Sequence, residues 1–565
     1  MPDQAAPASL DEVIRNAQEL AKAQGAQAAL AYLQPQYASL GRDPRLLPVM
    51  AQLQSALGNH AEALAIWNQL LPLAPADIRV MNARHQTKRA VHLQNRRIES
   101  GFYPTVGDVG QDVRAACAEG DFGYALWTMF DVAFRLVKSL PMSQAAPSND
   151  GDLDALCLEI GRQFAAHAKL KPVVPDASAP IVYLATALHE FGGHTRVMLD
   201  YIRRQPDRRH VLLLTGLGIN MSVPAVQSLL DKELRGIDFA WHRNSQIRHD
   251  ESLRWLMQQL QTIRPETVYL FGHPYDPVVP AATVLLQKTS TYFNHHSDFC
   301  FSLGAALPVT GHIDQTPMVH HLLCRHTPQI DPIYVPMTVA APARREASAF
   351  MSGGAVRTAA CGSAAKFTDQ TYAYSYADML PHILAGTGGE HVHIGALPAD
   401  AVAQIHAALD RQAIPRERFR HIAHVENLAA ALRDLDVDLY VASFPTGGGK
   451  AVIEAMAAGI PVLYHVNYQS RFACVAGMVY PEAFCWSDLA SLTAALRAVN
   501  RATLSRHSDL SRAYFEIYYG EQAAAAAFVD GRPVGVPAPP LGEYRPDTTQ
   551  QMFDRINQAV KERVR

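Results

Sequence analysis

The residues best suited to do chemistry fall in one run, Pro445-Thr446-Gly447-Gly448-Gly449-Lys450, with Glu454 one helical turn beyond it. Successive glycines let the backbone come close to a ligand, and a helix starting behind them offers free N–H groups and a positive dipole end. Lys450 adds a mobile cation, so the turn suits an anionic ligand such as a diphosphate. Glu454 is placed to receive hydroxyl hydrogen bonds from a sugar ring. The alternative is a tight strand-to-helix turn that packs one more βα unit, because glycines alone serve either purpose.

A second set of polar residues follows short apolar runs earlier in the chain. Ala179–Thr186 leads to Gly192-Gly193-His194-Thr195-Arg196, and Thr267–Phe271 leads to Gly272-His273-Pro274-Tyr275-Asp276. Ser290–Phe293 leads to Asn294-His295-His296-Ser297-Asp298. A lone loop histidine is usually an exposed bystander; three strand ends that deliver histidine to one sheet edge point to a site. If a reaction here requires a general base, as a displacement that inverts configuration would, His194, His295, His296 and Asp298 are the candidates.

The elements that must position these residues are strands alternating with helices, which predicts doubly wound parallel sheets whose ligands bind at the carboxyl ends of the strands. The first set includes a strand at His210–Thr215. A second set begins near Ala355 with Val356–Ser363, which leads to Lys366, and continues with His391–Gly395, Phe419–His424, Val437–Ala442 and Val462–His465. Ahead of both, residues 10 to about 140 are rich in Ala, Leu and Gln and predict helices. Gly58–Pro75 resembles the second half of a tetratricopeptide repeat, with Ala63 at the close helix contact and Trp67 in the groove. Ala29 precedes Ala63 by the repeat period, and Glu119–Trp127 is a weaker echo. Such a module serves as a protein- or peptide-binding surface or as a structural cap on the next domain. The expected divisions are 1–140 (helical, tetratricopeptide-like), 141–174 (linker and helix), 175–345 and 346–540 (α/β), and 541–565 (a terminal helix crossing back onto the first α/β domain).

Composition narrows the class. The 565 residues are 48% hydrophobic and 18% charged with a formal net charge of -3, which gives no electrostatic case for nucleic acid or an anionic membrane. Seven scattered cysteines, never spaced as CxxC, fit a reducing cytosol and no structural zinc site. The first ten residues lack a basic and an apolar region, and no apolar run reaches the ~18 residues of a membrane span, so a cytoplasmic location is expected.

Two successive doubly wound domains with a glycine loop late in the second resemble the GT-B fold of nucleotide-sugar-dependent glycosyltransferases, over roughly residues 175 to 565. Pro445–Leu463 is similar to the donor loop and helix of the glycogen synthase and sucrose synthase type. The resemblance implies that Gly447, Gly448 and Gly449 face the donor diphosphate, that Glu454 binds the ribose, and that Lys366 neutralises the phosphates. Gly192, Gly193 and Arg196 match a GG-x-x-R loop near the phosphates, and His295 or His296 falls where such families contact the transferred sugar. Thr446 stands where retaining families carry a second glutamate, so inversion and retention both stay open. The Pro-x-Gly-Gly-Gly form and the helical front end also resemble protein glycosyltransferases of the O-GlcNAc transferase and bacterial N-glucosyltransferase kind. The implied activity is glycosyl transfer from a nucleotide-diphosphate sugar to a protein or saccharide acceptor. No further cofactor is expected, and with no Asp-x-Asp set at a strand end no metal is required. The alternatives are an epimerase or phosphorylase on the same fold, and a non-catalytic tetratricopeptide adaptor.

Overall fold

The computed structural model describes residues 9–144, 149–189, 193–217, 219, 221–297, 299–326, 330–343, 346, 349–369, 371–545 and 547–564. Eight helices come first among them: α1 (Leu10–Gln24), α2 (Ala26–Ser39), α3 (Leu47–Ala56), α4 (His60–Leu70), α5 (Ile78–Asn95), α6 (Val106–Ala118), α7 (Phe122–Lys138) and α8 (Gly151–His167). Side-chain caps fix several starts: Ser9 and Glu12 form a reciprocal capping box on α1, and Asp77, Thr105, Asp121 and Asp150 cap α5 to α8. Ala29 of α2 and Ala63 of α4 are both fully buried, as their small size at close helix contacts predicts.

The first sheet contains β1 (Ile181–Ala185), β2 (His210–Leu214), β3 (Phe239–Arg243), β4 (Thr267–Phe271), β5 (Ser290–His295), β6 (Gly311–Asp314) and β7 (Pro332–Tyr334), in the order 3-2-1-4-5-6-7 and parallel throughout. The second contains β8 (Val356–Cys361), β9 (Gly388–Ile394), β10 (Phe419–Ile422), β11 (Leu439–Val441), β12 (Val462–His465) and β13 (Phe484–Trp486), parallel in the order 10-9-8-11-12-13. Both sheets therefore reverse their winding once, between β1 and β4 and between β8 and β11. A doubly wound sheet opens a crevice at such a point. β1 and β4 are buried on both faces, which explains their unbroken apolar runs.

The helical segment does not end where composition changes. Val182, Leu184 and Leu270 on one face of the first sheet share a core with Val113, Leu126 and Met129 of α6 and α7 and with Leu156 and Ile160 of α8. Gly161 of α8 packs so close that a Cβ there would lie 2.0 Å from the carbonyl oxygen of Ala281. Asp154 of α8 accepts the amides of Gly304 and Ala306, each at 2.7 Å. By contrast α1 to α4 bury their side chains in two small clusters apart from that core, the second of which also takes Val80 of α5. The helices α6 to α8 are thus one layer of the first α/β domain, and the module packed within itself is the front part alone.

The end of the chain also differs from expectation. Residues 521–536 are the part that crosses onto the first domain: Phe528 stacks edge-on with Tyr201 at 5.2 Å, Tyr269 donates to the carbonyl of Gly531 at 3.2 Å, and Val536 donates to that of Tyr334 at 3.0 Å. The terminal helix Thr549–Val564 instead returns to the second domain, where Arg555 donates to the carbonyl of Ser487 at 2.6 Å and lies over the Tyr468 ring. Among the described residues no helix is long and apolar enough to cross a membrane.

Candidate functional site

At the reversal point of the first sheet the loops after β1, β2 and β4 are tied together by a buried carboxylate. Asp276 accepts from the hydroxyls of Thr186 at 2.7 Å and Thr215 at 2.6 Å and from the amide of Val278 at 2.9 Å, while His273 donates its amide to Thr186 at 2.8 Å. On this base sits a group of imidazoles. The ring of His194, in the helix α9 (Gly193–Arg203), lies 4.2 Å from that of His296 and 5.6 Å from that of His273, and His189 lies 5.7 Å from His273. Nε2 of His194 donates to the carbonyl of Phe271 at 3.0 Å, which leaves its buried Nδ1 as a lone pair without a hydrogen-bond partner. His296 places Nδ1 3.3 Å from the carbonyl of Asn294, which leaves Nε2 as its acceptor nitrogen. Burial, with each ring disfavouring charge on the next, holds His194 down at about 4, His273 at about 3 and His296 well below the ordinary histidine value.

His295 does not join them. At 2% exposure it lies 3.4 Å from a carboxylate oxygen of the fully buried Asp314, packed against Phe293. Adjacent residues at a strand end project to opposite sides, so of the two only His296 lies in the cluster. Asp298 and Gly192 lie outside the described residues. Gly193, in the first turn of α9, is exposed, with open space where a Cβ would stand.

The second sheet presents a different inventory. Lys366 closes a short turn after β8, and its carbonyl accepts the amide of the buried Thr446 at 3.3 Å. Its ammonium reaches the glycine loop: a Cβ on Gly448 would lie 3.1 Å from Lys366 Nζ and 3.2 Å from Ser443 Oγ. The three glycines, expected to share one role, have three surroundings. Gly447 donates its amide to the carbonyl of Ala473 at 2.7 Å, and a Cβ there would meet Val475 at 2.5 Å, so its amide is committed to the protein. Gly449 faces Met478 and Met337. Gly448, the N-cap of the helix Gly449–Ala457, is the one at the lysine. No side chain caps this helix, and its first internal bond runs from Val452 to the carbonyl of Gly448, so the amides of Gly449, Lys450 and Ala451 precede the helical ladder.

The two inventories meet across the gap between the domains. Lys450 lies 3.6 Å from Asp200 of α9. Burial raises the carboxyl of Glu454, while Lys450 and Arg196 pull it partly back and Asp200 adds to the rise, which places all four in one electrostatic neighbourhood. Arg196 itself is paired with Glu233 of the helix α10 (Val223–Glu233) at 2.5 Å. Residues that sequence reasoning missed brace this arrangement. Asn467 donates to the carbonyls of Pro445 at 2.9 Å and Ser143 at 3.1 Å, and the buried hydroxyl of Ser443 has no hydrogen-bond partner. Only Ser443, four residues before Gly447, had a local signal. A separate cavity of about 630 Å³ lies among the helices, lined by Arg84, His85, Lys88, Asp121, Trp127 and Arg248.

No protein-family model matches the chain, and no curated protein matches it. Solved structures do. A variant of the O-GlcNAc transferase of Thermobaculum terrenum is 12% identical at a TM-score of 0.41, over 91% of this chain and 94% of that one. Anabaena HepE in complex with UDP and glucose is 12% identical at a TM-score of 0.45, over 62% of this chain and 99% of that one. A glycosyltransferase from Rickettsia africae is 10% identical at a TM-score of 0.45, over 62% of this chain and 96% of that one. The fold assignment rests on the chain's own topology. Two tandem sheets that each reverse once, with a segment crossing back from the second domain to the first, make this a GT-B fold behind an α-helical front end.

Proposed function

We propose that the chain is a glycosyltransferase that moves a sugar from a nucleotide-diphosphate donor to a protein or saccharide acceptor. One observation carries the reading: Lys366, Gly448, Lys450 and Glu454 of the second domain gather opposite Arg196 of the first, at the crevices of two facing sheets. Departure of a nucleoside diphosphate concentrates negative charge on the leaving oxygens. Fixed cations and helix amides aimed at that charge lower the barrier because they need no reorganisation as it develops. Lys366, Lys450, Arg196 and the amides of Gly449 and Lys450 take that role, so the compensating charge comes from the chain itself. Gly447 and Thr446 shape the loop, and Glu454 receives the ribose hydroxyls.

On the other side His296 is our candidate to receive the acceptor's proton if configuration inverts; His194 and His273 keep its surroundings neutral and dry. The helical front end, with its polar cavity, is the surface we assign to the rest of the acceptor. Calorimetry of the full chain against UDP, GDP and their sugars tests the donor site. Binding of one nucleotide series, weakened in Glu454→Ala, is expected. No binding across the panel would overturn the reading.

A further inference from the structure

The two cations that face the crevice from opposite domains, Arg196 and Lys450, are both paired with carboxylates. Glu233 holds Arg196 at 2.5 Å and Asp200 lies 3.6 Å from Lys450. The two carboxylates are joined by a third cation, since Arg203 reaches Glu233 at 2.6 Å and Asp200 at 2.7 Å. The result is an alternating chain, Arg196–Glu233–Arg203–Asp200–Lys450, in which the last link alone spans the domains and is the longest. Pinning α9 to α10 needs only the Arg203–Glu233 pair, so these carboxylates have more to do than that. Their outer oxygens point instead at the cations that a diphosphate would claim. When the outer cations leave, Arg203 still contacts both carboxylates and both stay partly exposed to water, so the one net negative charge left behind is solvated and not buried, where it would be costly.

We propose that Asp200 and Glu233 are resident counter-ions of the diphosphate site: they hold Lys450 and Arg196 while it is empty, yield them to the donor, and reclaim them as the nucleoside diphosphate leaves. The inference rests on the donor-site reading above and adds a determinant of product release to it. A free nucleoside diphosphate carries more negative charge than its sugar ester, so the carboxylates oppose product more strongly than donor.

The test is calorimetry and stopped-flow release of UDP and GDP on the full-length chain. Asp200→Asn and Glu233→Gln should each bind the nucleoside diphosphate about five- to tenfold tighter and release it correspondingly more slowly, a shift on the scale of one charge pair. Asp200→Glu should restore wild-type affinity, and Lys450→Met should abolish the gain when combined with Asp200→Asn. Unchanged or weaker binding in both neutral variants, with thermal unfolding like the wild type, would overturn the proposal while leaving the donor site in place. A wild-type chain that binds no nucleotide would take both down.

Discussion

The two sheets have the same winding, yet the histidines buried in the second are fully paired while a histidine at the crevice of the first is not. In the second domain every nitrogen of the buried histidines is used. His391 lies between the hydroxyls of Thr358 at 2.8 Å and Tyr376 at 2.7 Å, His393 between that of Tyr376 and the carbonyl of Gly362, and His465 between the hydroxyl of Tyr372 and the carbonyl of Trp486. In the first domain His194 keeps a buried Nδ1 with no partner, against His296 at 4.2 Å. Fully paired imidazoles stabilise a core; a buried nitrogen without a partner calls for a reason, and the acceptor role proposed above for this cluster supplies one. The second sheet keeps its mobile cations at the crevice and its histidines inside. The first puts neutral proton acceptors at the crevice.

That contrast can be broken most sharply at Lys366. Lys366→Met should cut sugar transfer by at least about 100-fold by removing fixed charge from the leaving group, as measured by initial rates; a loss under tenfold would detach the turn after β8 from the chemistry. Next comes His296→Ala, expected to slow transfer by about 100-fold or more while nucleotide affinity stays at the wild-type value. Calorimetry and rates on the same preparation separate the effects, and a parallel fall in affinity would mean that the histidine cluster binds donor after all. Glu454→Ala should weaken nucleotide binding about tenfold, the scale of hydrogen bonds to a charged group. Equal binding of the corresponding 2′,3′-dideoxynucleotide to wild type would contradict its ribose role.

A separate effect, which does not touch the chemistry, falls on stability. His194 and His393 are depressed to about 4, and His273, His391 and His465 to about 3, mainly by burial. Below the ordinary histidine value the unfolded chain binds protons that the folded chain refuses, so the contribution is fully present at neutral pH and falls as pH drops toward 4. Each such group costs up to about 1.4 kcal/mol per pH unit in that window. Urea unfolding at pH 7 and pH 5 should show the loss. His391→Gln, which removes one titrating group, should flatten the dependence, and an unchanged slope would rule His391 out as a contributor.

How much of this was legible in the sequence follows from where each residue finds its partners. β1, β2 and β4 are central and apolar, so their runs announced them. β3 escaped notice because it is an edge strand with a polar, half-exposed Trp241-His242-Arg243 end, and β7 because it is a three-residue edge that begins at Pro332. β6, Gly-His-Ile-Asp, buries polar residues that only tertiary neighbours justify. The glycine loop was visible because its glycines and lysine are adjacent, but the distinct surroundings of Gly447, Gly448 and Gly449 come from Ala473, Lys366 and Met478. Asp200 and Glu233 carry no local signal at all. On sequence they are ordinary helix-surface carboxylates, and only the approach of the second domain gives Asp200 its neighbour Lys450.

The return of residues 521–536 to the first domain has a mechanical consequence. The backbone passes between the two halves three times: once after β7, once after the helix Arg501–Tyr518, and once more before Tyr544 hydrogen-bonds the carbonyl of Asn467. A single tether would leave two bodies free to swivel, whereas three passages restrain the turn like a strap sewn at three points, and two of them are stitched together where Thr338 donates to the carbonyl of Tyr519. That restraint is what holds Lys450 opposite Asp200.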